Sequence, residues 1–244
     1  DGLPQFDRIN NQSYYVDIIN RGQEKLNYSV KAKNDWIKLS GEQGTTQFNE
    51  YIHVSIDWKK VPAGNTTGEI TIAGAGNEYV VKVPVRNELI KASGFVENNG
   101  VVSIEAASVT KKFDNKDIHW TVVPNLGRTN SSIIIEPVTA GRQKPGLNSP
   151  RVEYEFTVFS GGTFTIEAYL SPTQDFKKQG GLKFAISIDD EQPQLVNMNE
   201  GEVKPDYESA DWWVKSVANH VKTRKTTHSV KPGTHTLKNW MVGP

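Results

Sequence analysis

Residues 150–173, PRVEYEFTVFSGGTFTIEAYLSPT, decide the fold class of this chain. Two alternating segments flank Gly161-Gly162. In the first, Val152, Tyr154, Phe156 and Val158 fall on one face, with Glu153, Glu155 and Thr157 on the other. In the second, Phe164, Ile166 and Ala168 oppose Thr163, Thr165 and Glu167. Side chains on a strand alternate with period two, so both segments read as half-buried β-strands. The glycine pair between them reads as a hairpin turn.

The same pattern recurs on both sides of this stretch. From Tyr14 to Val85 the alternation predicts strands at 14–19, 27–32, 52–56, 68–72 and 79–85, separated by Gly- and Asn-rich turns. Short strands at this spacing predict an immunoglobulin-like sandwich. Trp36, in NDWIKLS, is the expected plug between its sheets, because an indole buries more apolar area than other side chains. Pro84 marks an edge strand, where a missing N–H does no harm. A polar connection, NELIKASGFVENN at 87–99, then separates a second β pattern. Its strands are expected at 101–105, 133–136, 151–159, 163–170, 183–188, 194–197 and 234–240. One helix is expected at 209–221, where Trp213, Val217 and Val221 share a face and Trp212 is left on the polar side. The domains are therefore expected at 1–90 and 91–244.

Composition removes several function classes. The 244 residues carry 28 Lys+Arg against 28 Asp+Glu, so no global field attracts nucleic acid or an anionic membrane. The absence of cysteine excludes disulfides, thiolate catalysis and Cys-ligated zinc. No apolar run approaches the roughly 18 residues of a membrane-spanning helix. No basic-then-apolar leader opens the chain, so any secretion signal is expected to have been removed or to belong to a longer precursor.

The catalytic signals are poor. Asp189-Asp190-Glu191 is the densest acid cluster, but glycoside hydrolysis needs two carboxylates facing each other across about 5–9.5 Å. Adjacent acids before Gln192-Pro193 read as a solvated turn instead. The histidines, His53, His119, His220, His228 and His235, show no zinc spacing, and no GxSxG occurs. His119, beside Trp120, is the one that invites attention.

The binding signals are aromatic. Indole and phenol rings stack on the C–H faces of sugars, while Arg and Asn hydrogen-bond hydroxyls and carboxylates. Trp120, Arg128, Tyr169 and Trp212 are the carbohydrate-binding or interface candidates. Arg128 suits two-pronged contact with a uronate carboxylate. Against this stands the plainer reading in which Trp120 fills the core and Arg128 pairs with a local acid. Lys215, Lys222, Arg224, Lys225 and Lys231 form a basic stretch, read first as a solvated face and second as a surface for an acidic glycan.

Two blocks of sequence resemble known families. The 13–87 block, with NDWIKLS, EYIHVSIDW, PAGNTTGEITIAG and VVKVPV, resembles the BACON-type immunoglobulin-like modules of bacterial glycan-degrading enzymes. WTVVPNLGRTNSSIIIEP, EYEFTVFSGGTFTIEAYLSPT, GLKFAISIDDEQPQLVNM and PGTHTLKNWMV together resemble the C-terminal region of glycoside hydrolase family 115, the xylan α-glucuronidases. The fold this implies is all-β: an immunoglobulin-like sandwich, then a jelly-roll, galactose-binding-like β-sandwich with one short helix. The resemblance implies a bacterial, periplasmic or extracellular parent enzyme whose catalytic acids lie on an upstream domain. This chain would then be its non-catalytic accessory region, without cofactor. It would contact that domain, a second copy or a xylan-type glycan. The alternative is an independent pair of carbohydrate-binding modules. VSIEAAS is similar to the Glu-Ala-Glu opening of calcium-binding carbohydrate modules. Glu105 matches the first acid, but Ala107 stands in place of the second, which leaves Glu105 as the sole calcium candidate. Such sandwiches run one more strand after residues 234–242, so a C-terminal truncation is expected.

Overall fold

The computed structural model describes residues 2–127, 129–146, 148–201 and 218–243. They form two compact units, Asp1–Lys91 and Ala92–Pro244, both built from β-strands.

The first unit contains β1 (Phe6–Asp7), β2 (Tyr14–Ile19), β3 (Leu26–Ala32), β4 (Ile37–Leu39), β5 (Gln43–Thr46), β6 (Asn49–Ile56), β7 (Gly64–Gly74) and β8 (Asn77–Asn87). A five-stranded sheet in the order β1-β8-β7-β3-β5 faces a three-stranded sheet in the order β2-β6-β4. Strict alternation along β6 puts Ile52, Val54 and Ile56 into the core and leaves Tyr51, His53 and Ser55 outside. Trp36 is buried among Val30, Ile37, Ile70 and Val83, as a plug between sheets should be. Gly68 makes room for it: a Cβ on Gly68 would lie 2.5 Å from the indole. Pro84 does not mark an edge, because the short β1 pairs in parallel with β8. Leu3 N–H donates to Lys82 O on that side (2.9 Å), so alternation turns the main chain of Pro84 the same way. The missing N–H thus costs no bond to β7.

The second unit contains β9 (Phe95–Val96), β10 (Lys111–Phe113), β11 (His119–Val123), β12 (Ser132–Glu136), β13 (Arg151–Val158), β14 (Gly162–Leu170), β15 (Lys183–Ile188), β16 (Gln194–Asn197), β17 (Lys222–Val230) and β18 (Gly233–Gly243). Six strands make one sheet, β10-β13-β18-β15-β16, with β9 joined in parallel to β13. β11–β12 and β14–β17 are separate two-stranded ladders. Val152, Tyr154, Phe156, Val158, Ile186 and Leu237 supply much of the core, against which Trp120, Ile133, Phe164 and Ile166 pack.

Gly161-Gly162 is a corner, not a hairpin turn. β13 pairs with β18 and β14 pairs with β17, so the chain leaves one layer and enters the other. Both edges of β13 are taken, by β18 on one side and by β10 and β9 on the other, so β14 has no edge to join. The β17–β18 connection turns the same corner. A Cβ on Gly161 would come within 2.8 Å of the Pro232 ring, so the two corners stack. A long ladder folded across two layers is the pattern of a jelly roll.

β13 is also not half buried. Glu153 and Thr157, placed by alternation on a solvent face, are both buried. Thr157 Oγ1 donates to Ser93 O (2.8 Å) and accepts from Ser93 N (3.0 Å), so the incoming chain roofs that end of the sheet. Residues 102–105 form no strand, although Val102 and Ile104 pack against the core. Strands β1, β4, β5, β9 and β10 are too short and β17 too polar to be read from sequence, and β11 (HWTVV) is a strand the sequence reading did not expect. The expected helix at 209–221, with Trp212 and Trp213, lies outside the described residues up to position 217; residues 218–219 are helical.

Candidate functional site

The predicted binding residues do not converge. Trp120 sits on β11 and is 8% exposed, packed with Ile118, Ala140, Val152, Tyr154 and Met241. Its ring is packed into the core, which corrects Trp120 as a sugar-stacking candidate. The indole Nε1 is buried, with no hydrogen-bond partner among the described residues. Arg128 and Trp212 lie outside the described residues. Tyr169 is 60% exposed near the end of β14. It shares the outward face of the β14–β17 ladder with Thr163, Thr165 and Glu167, opposite Thr223 and Lys225. His119 is exposed at the start of β11, opposite Glu136.

Glu105 is engaged in bracing a loop. Its carboxylate accepts from the Thr129 hydroxyl (2.7 Å) and from Ser131 N–H (3.4 Å). Among the described residues, no group of three or more His, Asp or Glu side chains could hold a metal ion.

The three adjacent acids diverge. Asp189 takes a positive φ of 49° and accepts from Thr236 N–H (2.8 Å), while its second oxygen meets His235 Nδ1 at 2.7 Å. Glu191 meets His228 Nδ1 at 2.6 Å. Asp190 points to solvent, 3.6 Å from the Lys238 ammonium. Alternation along a tight turn sends successive carboxylates to different neighbours, and none faces another across a substrate-sized gap.

β17 shows what the sequence hid. Its inward positions are Lys222, Arg224, Thr226, His228 and Val230, four of them polar. Lys222 is only 6% exposed, and its ammonium donates to Thr173 O at 2.8 Å. Arg224 donates to Asn197 O (2.9 Å), Met198 O (2.6 Å) and Glu200 O (3.0 Å). These side chains tie β17 to the carbonyls around β16 where no backbone ladder joins the two strands. The basic stretch is therefore largely internal at Lys222 and Arg224, not a solvated face. His228 meets Thr226 Oγ1 at 2.9 Å through its other nitrogen. The Glu191–His228–Thr226 chain has the order of a proton relay, but the Thr226 hydroxyl is buried with the imidazole, and no substrate reaches it.

A second cluster was also unread. The Arg151 guanidinium carbon stands 3.7 Å from the Phe113 ring centroid and 5.0 Å from that of Trp240, and Nε donates to Glu153 at 2.7 Å. The register sets this up, because Arg151 lies opposite Phe113 on one side and Trp240 on the other. Cation–π contact and a largely buried ion pair lock the outer face of the sheet. The only sequence signal was an Arg two residues before a Glu on one strand face. A pocket bordered by Arg142, Lys177 and Lys183 holds about 10 Å³, space for a water but not for a sugar.

Fold and side chains thus define a β-sandwich in which Asp189, Glu191, His228 and His235 are engaged in structural contacts. The glycosyl hydrolase family 115 C-terminal domain profile matches residues 94–244, and the chain belongs to that family. No curated protein matches the chain. Solved structures give distant likenesses. A Bacteroides ovatus GH5 xyloglucanase in complex with a XXXG heptasaccharide is 15% identical over 34% of this chain and 16% of its own, with a TM-score of 0.26. An Arthrobacter globiformis isomalto-dextranase complexed with panose is 10% identical over 99% of this chain and 33% of its own, at 0.32. The periplasmic chaperone SfaE is 9% identical over 62% of this chain and 87% of its own, at 0.30. At these scores the likenesses carry no functional argument.

Proposed function

We propose that this chain is the non-catalytic C-terminal accessory region of a secreted bacterial α-glucuronidase acting on glucuronoxylan, with residues 1–90 a BACON-type module. The observation that carries the reading is the family match across residues 94–244. The geometry supports it: the hairpin-tip acids diverge toward separate partners, so they do not form the facing pair that glycoside hydrolysis requires. The Arg151–Phe113–Trp240 stack and the side-chain ties of β17 suit a rigid scaffold that positions an upstream catalytic domain. Its location is periplasmic or extracellular.

The test is to express the parent enzyme with and without this region and measure glucuronic acid release from glucuronoxylan. The expected result is loss of activity or of thermal stability on removal, with no activity from this chain alone. A parent whose activity and stability are unchanged by the removal overturns the scaffold role.

A further inference from the structure

Cations on the Ala92–Pro244 unit commonly stand beside an acid. Arg151 pairs with Glu153, Lys112 with Asp114, Lys225 with Glu167 and Lys238 with Asp190. Three cations around one small pocket depart from this. Arg142, Lys177 and Lys183 border it together with Gln179, Gly181, Leu182 and Gly243. None of the three forms an ion pair with an acid among the described residues. Arg142 Nη2 donates to Gln179 O, and Lys177 Nζ donates to Ala140 O at 2.7 Å, which fixes both head groups. Lys183 is half-buried at the start of β15, and its ammonium has no hydrogen-bond partner among the described residues. Asp175, the acid of the adjoining loop, is already engaged. It accepts from Gly181 N–H (2.8 Å) and Gln179 N–H (3.4 Å), and these bonds hold its carboxyl below the usual carboxylate range.

The backbone leaves the space between them. A bulge between Lys183 and Phe184 shifts the register so that Lys183 lies opposite Gly243 at the end of β18, and bulges of this kind re-aim a side chain. Gly243 brings no side chain against Arg142, where a Cβ would stand 3.5 Å from Cγ. Gly181 takes a positive φ of 95°, and a Cβ on it would overlap Asn197 Oδ1 at 1.9 Å, so this wall is main chain. The pocket holds about 10 Å³, room for one oxygen atom but not for a pyranose ring. Like charges gathered around it repel, and a bound anion relieves that repulsion. The Arg142 fork is planar and suits a carboxylate, whose two oxygens lie in one plane. A tetrahedral oxyanion needs more depth than one oxygen takes.

We propose that Arg142, Lys177 and Lys183 form a site for one carboxylate carried on a ring that stays outside the pocket, the chemistry of a uronic acid. The choice of a uronate rests on the function proposed above, whereas the carboxylate site rests on this geometry. Thermal melting of the whole chain in sodium glucuronate is compared with melting in glucose plus sodium chloride of matched ionic strength. Glucuronate at several times its dissociation constant should raise the melting temperature by roughly 2–4 °C over that control. Amide chemical shifts should move at Gly181, Lys183 and Gly243 and hold still in the Asp1–Lys91 unit. Lys183→Gln, which breaks no hydrogen bond to a described residue, should weaken binding about tenfold. Its ligand-free melting temperature should be unchanged or higher, since one of three like charges is gone. Arg142→Lys, which keeps the charge but not the fork, should bind better than Arg142→Gln. No rise over the control, a larger rise in phosphate, or a rise that survives the Arg142→Gln/Lys183→Gln double variant overturns the proposal. A rise in sodium acetate with none in glucuronate overturns the uronate assignment. These readouts use this chain alone and not the activity of the parent, so the site and the accessory role can fail separately.

Discussion

The Tyr154 hydroxyl donates to the Ala106 carbonyl across 2.7 Å inside the core of the second unit. Burial pushes the phenol well above its ordinary value of 10.0, because a phenolate there would lose its water. The unfolded chain therefore releases this proton first as pH rises, and the folded chain keeps it. Folding binds a proton above about pH 10, so the stability this group confers is complete below that pH and falls as pH climbs beyond it. Tyr154→Phe should cost about 1 kcal/mol at pH 8, by orphaning the Ala106 carbonyl. The gap between wild type and variant should shrink above pH 10. Urea unfolding at both pH values checks this, and a gap that stays constant counts against the proton linkage.

Trp36 and Gly68 are a matched pair, one ring and the space it needs. Trp36→Ala should cost about 3–5 kcal/mol, the usual loss for a large buried ring. Gly68→Ala alone should also destabilise, since its methyl would stand 2.5 Å from the indole. Combining Gly68→Ala with Trp36→Phe should cost less than the sum of the two single changes, because the smaller ring vacates the contested space. Calorimetric melting of the four proteins measures that coupling.

The strands that could be read from sequence are those with one apolar face. β2 and β15 matched their expected limits because alternation ended at turn residues. What alternation does not carry is the partner. Residues 150–173 give both strands correctly, yet β13 finds β18, more than 70 positions on, because pairing is decided by which edges remain open. Alternation also mistook Glu153 and Thr157 for solvent-facing groups, since it cannot show that Arg151 and the Ser93 main chain cover them. β17 went unread for the opposite reason: Lys222, Arg224 and His228 face inward and are satisfied by carbonyls and Glu191 contributed from distant elements. The aromatic signal at Trp120 was read correctly as a large apolar ring, but residue type does not tell a core ring from a surface one.

Glu97 holds the corner between β13 and β14. Its buried carboxylate accepts from Phe159 N–H (2.6 Å), Ser160 N–H (3.2 Å) and the Ser160 hydroxyl (3.1 Å). Glu97→Gln replaces one acceptor oxygen by a donor that faces donors. A loss of about 2–3 kcal/mol is expected. Hydrogen exchange should show faster opening at Phe159 and Ser160 than in the Asp1–Lys91 unit. Uniform acceleration throughout the chain would mean that Glu97 has no special place at the corner.

The hairpin-tip acids are the densest acid cluster of the chain, and their geometry argues for structure, not hydrolysis. Asp189 bridges the β15–β16 turn to His235 and Thr236 on β18, and Glu191 is turned away toward His228. A glycosidase acid and its partner must share one substrate, which these side chains cannot do from opposite sides of a turn. No release of sugar from glucuronoxylan or aryl glycosides by this chain is therefore expected. Asp189→Asn should lower stability by about 1 kcal/mol through the weakened contacts to His235 and Thr236, whereas Asp190→Asn, at a solvent-facing position, should leave melting unchanged. Reducing-sugar assays and thermal melts on the same preparations separate the two roles. Hydrolysis above buffer in the wild type that either asparagine variant abolishes would place a catalytic acid at this turn.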